Sequence, residues 1–232
     1  MAKLLLKDKL AAQRVYLILA GLFIASLVVS NLIFQKFFSW DFFGLYTFEI
    51  SVGILPYPVT FLITDIISEI YGKKKANQVV TTGIFASFFS LLIIYTADAV
   101  PATEWSPIDD ALFTQVFGAT TIAVFASMVA YLLAQYIDIH LFHFWKRLTK
   151  GKHLWLRNNF STFLSQFVDT FSVLFLLCSF NKIEWDLFGA LLLSGFLFKV
   201  IVAALDTPLL YASVFAFRKR FKLKQGEELK YD

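Results

Sequence analysis

The run Leu55-Pro-Tyr-Pro-Val-Thr-Phe-Leu-Ile-Thr-Asp-Ile-Ile-Ser-Glu-Ile-Tyr-Gly72 places two prolines and two carboxylates inside an apolar stretch long enough to cross a bilayer. A proline removes a backbone donor, and an ionised carboxylate at the centre of a membrane helix costs roughly 2.5–3.5 kcal/mol on insertion scales. Both persist only where protein or a polar cavity surrounds them. Asp65 and Glu69, four residues apart, share one side of the helix. An interrupted membrane helix that carries carboxylates is the arrangement used to bind a polar solute on its way across.

The surrounding chain agrees. Of 232 residues, 58% are hydrophobic and only 16% charged, 28 are phenylalanine, and the mean hydropathy is +0.68. These values belong to an integral membrane protein. Apolar segments that hold about 20 residues, the length a hydrocarbon core demands, recur six times, at 15–38, 48–71, 78–98, 114–139, 160–181 and 187–217. The expected fold is all-α, six transmembrane helices in a single domain over 1–232. The first segment is too long for a signal peptide and has no small-residue cleavage pattern, so it reads as a retained span. Cys178 is the one cysteine and lies in the fifth segment, which excludes a disulfide framework or a thiolate metal site.

Basic residues set the orientation. Eighteen of the 21 Lys and Arg flank alternate ends of the spans, before span one, between two and three, between four and five, and after six. The opposite loops hold only Lys36 and Lys182, and the loop Asp98 to Asp110 is acidic without a base. By the positive-inside rule, both termini and the two basic loops are cytoplasmic. The net charge of +4 is then a contact with the inner leaflet, and nucleic acid is not an expected partner.

Six spans with both ends on one side permit a 3+3 inverted repeat. Ala25-Ser26 and Ala126-Ser127 are offset by 101 residues, and Thr60-Phe61-Leu62 and Thr162-Phe163-Leu164 by 102; spans three and six show no such match. Inverted repeats are frequent in secondary transporters, with the site between the halves. In the stretch His140 to Asn158, Trp145, Leu148, Leu154 and Trp155 among basic residues fit a short surface helix.

At membrane depth the polar residues are the informative ones, and they form stripes. Thr162, Gln166 and Asp169 share a face of span five, flanked by Ser161, Ser165 and Thr170; Ser127, Tyr131, Gln135 and Asp138 do the same in span four. Span one contributes Asn31 and Gln35, and span six Lys199 and Asp206, whereas span three carries only small hydroxyls and a glycine and reads as scaffold. At helical rise, Asp169 lies about 15 Å from Asn159 and Lys199 at a similar level, so a Lys199–Asp169 ion pair is allowed, as a staple or as part of a site.

Five acids, Asp65, Glu69, Asp138, Asp169 and Asp206, face one base within the spans, Lys199. Uncompensated negative charge in a low dielectric calls for a proton or a bound cation. For Glu69 and Asp138, nearer the cytoplasmic surface, hydration is the simpler expectation. His140-Leu-Phe-His143 lacks a third ligand and reads as surface histidines. Phe61 and Phe163 are the aromatics placed to stack on a planar ligand. No Walker A loop, His-Glu-x-x-His or Gly-x-Ser-x-Gly occurs, which argues against ATP hydrolysis or a familiar hydrolase.

Ser30-Asn31, Pro58-x-Thr-Phe-x-x-Thr64-Asp65-x-x-x-Glu69-x-x-Gly72, Ala126-Ser127-x-x-Ala130-x-x-x-x-Gln135-x-x-Asp138, Leu156-Arg157-Asn-Asn-x-Ser161-Thr162-x-x-x-Gln166-x-x-Asp169-Thr170, and Phe198-Lys199 with Pro208 together resemble the queuosine precursor transporter family, formerly described as vitamin uptake transporters. The resemblance spans nearly all six segments. It implies a multi-pass carrier of the cell inner membrane that imports 7-cyano-7-deazaguanine, and the aminomethyl form, for salvage into queuosine-modified tRNA, by proton-linked or facilitated alternating access. It implies no catalysis and no cofactor; its partners would be a small-molecule 7-deazaguanine base and the lipid bilayer. The oligomeric state is left open.

The substrate-binding residues this implies are Asn31, Thr64, Asp65, Glu69, Gln135, Asp138, Ser161, Gln166, Asp169, Thr170 and Lys199. Asp169 or Asp65 would accept from the base edge, Asn31 and Gln166 would orient it, and Lys199 would hold Asp169 charged. Some members carry an arginine early in span four, where Gly118 to Phe125 has none. The alternatives are a substrate-binding subunit of a larger vitamin importer with a separate ATPase, an intramembrane enzyme using Asp65 and Asp169, and a structural membrane protein.

Overall fold

The computed structural model describes residues 6–34, 36–118, 121–181 and 183–229; Gln35 and Lys182, and the side chain of Ala126, lie outside them. In chain order the elements are α1 (Leu6–Ile33), β1 (Phe37–Phe42), β2 (Tyr46–Ser51), a 3₁₀ turn (Val52–Ile54), α2 (Tyr57–Ile70), α3 (Lys73–Asp98), α4 (Asp110–Phe113), a π turn (Thr114–Gly118), α5 (Thr121–Leu148), α6 (Leu154–Ser179) and α7 (Trp185–Phe221). Among the described residues, Lys7–Ile33, Val52–Ile70, Lys73–Asp98, Leu154–Ser179 and Trp185–Phe221 are long and apolar enough to cross a membrane. The chain is a helical membrane protein. The remaining segment expected to cross corresponds to α5, 28 residues long.

Three local expectations change. The second span was expected from residue 48, but Tyr46–Ser51 is a strand paired antiparallel with Phe37–Phe42. The reason is a period of two: Phe48 and Ile50 are buried while Thr47 and Glu49 are exposed, and the buried pair packs on Phe198 of α7. The prolines do not interrupt a helix; Pro56 is the N-cap of α2 and Pro58 sits in its first turn, where a missing N–H costs nothing. Finally, Trp145, Leu148, Leu154 and Trp155 belong to the ends of α5 and α6, joined by a tight turn with positive φ at Lys150, Gly151 and His153, so the surface helix is absent there.

What positions the site is α2. At 14 residues it is the shortest of the main helices, and the span containing it is 61% buried, against 17–39% for the other four. It touches α1, α3, α5 and α7, while α5 pairs along its length with α6, and α6 with α7. One apolar core binds these together, with Phe23 from α1, Ile67 and Ile70 from α2, Val79 and Val80 from α3, Phe142 from α5 and Leu210 and Val214 from α7. Outward faces carry Phe85, Phe89 and Phe215, more than half exposed, as lipid contact requires. Gly72, at φ +83°, makes the reversal from α2 into α3 and donates to the Ile67 carbonyl at 3.0 Å.

Candidate functional site

The central position of α2 brings its polar residues into three groups, one above another. At its C-terminal end Glu69, fully buried, is an anionic hub. Arg157 of α6 reaches it at 2.7 Å, Lys146 of α5 at 3.5 Å, and Arg218 of α7 completes the set. Lys146 also binds the Glu69 carbonyl at 3.1 Å and Glu228 of the C-terminal tail at 2.8 Å; Arg157 donates to the carbonyls of Gly151 and Lys152 at 3.2 and 2.9 Å. The expectation of a single buried base is therefore corrected. Arg157 and Lys146, assigned to a loop by their charge, extend inward along the bundle, and Glu69 is paired and dry where hydration was expected.

One turn earlier, Asp65 and Asp138 of α5 lie within hydrogen-bonding reach of each other, 2% and 0% exposed. Ser165 of α6 donates to Asp138 at 2.9 Å. Asp138 is likewise dry, contrary to expectation. Beside them Thr64 donates to Gln135 at 3.2 Å, and Gln135 donates to the Tyr131 hydroxyl at 2.7 Å, a polar staple between α2 and α5.

The third group lines a narrow cleft between α2, α6 and α7. Tyr57, Phe61 and Asp65 line one wall, Thr162 and Gln166 another, Lys199 and Asp206 the third. Lys199 pairs with Asp169 at 2.5 Å, as spacing allowed, and its ammonium also lies 4.8 Å from the centre of the Tyr57 ring. The Tyr57 hydroxyl is in reach of Asp169. Oε1 of Gln166 and Oγ1 of Thr162 are buried and have no hydrogen-bond partner. Buried polar atoms are ordinarily paired; the Gln166 oxygen, on the cleft wall, is available to a ligand, whereas the Thr162 hydroxyl is in reach of Asp138.

Of the residues expected to bind substrate, Asp65, Gln166 and Lys199 line the cleft and Asp169 adjoins it through Lys199. Thr64, Gln135 and Asp138 are engaged on the α5 side, and Glu69 in the hub. Ser161 and Thr170 turn their hydroxyls to the carbonyls of Asn158 and Gln166. Asn31 is elsewhere: it donates to the Leu27 carbonyl at 3.1 Å and lines a separate cleft with Ser87, Ser90 and Met128. Phe163 does not line the central cleft, whereas Phe61 does. Tyr57 was not anticipated; its place between the two prolines that open α2, one turn before Phe61, was the signal.

A family model described as "Putative vitamin uptake transporter" matches residues 51–213 of the chain. Over 175 residues, 75% of this chain and 74% of the relative, it is 28% identical to a "Probable queuosine precursor transporter" of Bacillus subtilis (strain 168). Over 131 residues, 56% of this chain and 55% of the relative, it is 29% identical to the "Queuosine precursor transporter" of Escherichia coli (strain K12). No solved structure matches it.

Proposed function

The chain belongs to the queuosine precursor transporter family, and from that premise we propose that it carries 7-deazaguanine bases, 7-cyano-7-deazaguanine or its aminomethyl form, into the cell. The family is one of transporters, not enzymes. Its membrane is the cell inner membrane, crossed six times by α1, α2, α3, α5, α6 and α7, with both termini cytoplasmic and the first three spans related to the last three as an inverted repeat.

One observation carries the substrate reading. The central cleft sets the unpaired Gln166 carbonyl oxygen and the Asp65 carboxyl beside the Tyr57 and Phe61 rings. A 7-deazaguanine offers a flat π face to such rings and a row of ring and exocyclic N–H donors along one edge, which carbonyl and carboxyl oxygens accept. Lys199 supplies the donor for the base's own carbonyl oxygen while its charge is balanced by Asp169. A buried site left with unpaired acceptors rejects analogues that lack the matching donors more strongly than an apolar pocket does.

Where the cleft sits supports alternating access. The Glu69 hub ties α2, α5, α6 and α7 together beneath it, closing the basic end of the bundle; parting those ion pairs opens the cleft to that side.

The test is uptake of radiolabelled 7-cyano-7-deazaguanine into liposomes holding only this purified protein. Saturable uptake, competed by unlabelled base and lost in Asp169→Asn at equal reconstitution, is the expected result. Binding without uptake would overturn the self-sufficient carrier in favour of a partner-dependent importer subunit, and no binding would overturn the substrate.

A further inference from the structure

The geometry points to a proton-binding site formed by Asp65 of α2 and Asp138 of α5, one proton held between the two carboxyls, which is the ion carried inward with the base during transport. The coupling half of this inference rests on the carrier reading above; the site itself does not.

Two carboxyls within hydrogen-bonding reach of each other, both at least 98% buried, cannot both be ionised without a cation between them. Of the pair's four carboxyl oxygens, Oδ1 of Asp65 and Oδ2 of Asp138 are buried without a hydrogen-bond partner among the described residues. A single proton satisfies both atoms at once, as an O–H donor on one and an acceptor on the other.

The surroundings decide which carboxyl holds it. Oδ1 of Asp138 accepts from Ser165, and the Thr162 hydroxyl, which has no backbone partner, is also in reach, so α6 solvates Asp138 as the anion; the Ser161 proton is held by the Asn158 carbonyl. Thr162 Oγ1 is itself 4% exposed as a residue and otherwise unpartnered, a second sign that this corner is built around a charge. Among the described residues no serine or threonine donates to Asp65, which is therefore the acid and gives its hydrogen bond to Asp138.

The charged and titratable groups around the pair are otherwise committed. Arg157 of α6 is held by Glu69, its neighbour one turn along α2, and Lys199 of α7 by Asp169 of α6. Asp206 of α7 lies across the cleft, and the Tyr131 hydroxyl of α5 takes its hydrogen bond from Gln135. Arg157 acts on Asp65 only through space, and among the described residues no cation makes an ion pair with either carboxyl. Asp65 alone belongs to both the pair and the cleft wall, so a base hydrogen-bonded to it senses whether the proton is present, and parting α2 from α5 exposes the proton to water. That is a physical link between solute and proton, since each changes the free energy of the other at one shared carboxyl.

Infrared difference spectroscopy of the purified protein at neutral pH reads the site without any substrate. A protonated-carboxyl carbonyl band is expected in the wild type, lost in Asp65→Asn and Asp138→Asn while their helical circular dichroism stays that of the wild type, and kept in Asp138→Glu. No such band in the wild type, or a band indifferent to both asparagine variants, overturns the site. In liposomes loaded with a pH dye, added 7-cyano-7-deazaguanine is expected to acidify the lumen. Uptake without acidification, or uptake that needs a sodium gradient instead, overturns the coupling and leaves the carrier intact. Absence of wild-type uptake sinks the carrier reading, and the infrared band still decides the proton.

Discussion

The guanidinium of Arg157 meets the carboxylate of Glu69 at 2.7 Å with neither side chain exposed, joining two helices 88 residues apart in the chain through a charge pair that water does not reach. Lys146 and Arg218 converge on the same carboxylate. Removing one partner of a buried pair leaves the other charge uncompensated, at a cost of about 3–5 kcal/mol. Because Glu69 serves three cations, Glu69→Gln is expected to lower thermal stability in detergent more than Lys146→Met or Arg218→Met alone. Equal effects in a thermal melt would show that the cations find other partners.

Lys199 and Asp169 separate a staple from a site. Lys199→Met strands a buried carboxylate and is expected to cost stability on the order of 3 kcal/mol; adding Asp169→Asn removes the stranded charge and recovers most of it. Transport is expected to stay lost in Lys199→Met, in Asp169→Asn and in the double variant, because the double variant restores packing and no polar contact to the base. Recovery of uptake in the double variant would reduce the pair to a staple.

Gln166 offers the cleft an unpaired buried oxygen. Gln166→Leu removes that acceptor at similar volume, so affinity for 7-cyano-7-deazaguanine is expected to fall by about 1–3 kcal/mol, roughly five- to 150-fold, with little change in melting. Titration calorimetry reads this directly, and an unchanged Kd would take Gln166 out of the site.

The C-terminal tail closes on the same end of the bundle as the Glu69 hub. The Leu229 N–H donates to the Ile70 carbonyl at 2.7 Å, and its side chain, 5% exposed, enters the main core. Leu229→Ala is expected to cost about 2 kcal/mol, the low end for a buried leucine because a chain end relaxes readily, and to speed proteolysis between Lys222 and Gly226. A melting temperature and a cleavage rate equal to wild type would show that the tail is not held.

Orientation is open to chemical labelling, since the lone cysteine, Cys178, is buried. In a Cys178→Ser background, Glu104→Cys in the acidic loop is expected to react with an impermeant maleimide on intact cells, and Lys152→Cys in the basic turn only after the membrane is opened. The reverse pattern would invert the topology.

Membrane character, the apolar segments and the polar stripes were legible in the sequence because each depends on neighbours within a few turns: length at helical rise, and which residues recur on one face. The Lys199–Asp169 pairing was legible too, since depth along two helices is a one-dimensional quantity. The hairpin was missed for a local reason, as Phe38, Trp40, Phe48 and Ile50 add to an apolar average that hides their alternation. Tertiary structure alone decided the partners. Arg218 and Glu69 are 149 residues apart, and whether they meet depends on how α7 is rotated and tilted against α2. The rotation of α1 turned Asn31 toward a different cleft, and that of α2 against α5 set Asp65 against Asp138, one carboxyl facing another where the sequence showed only two stripes.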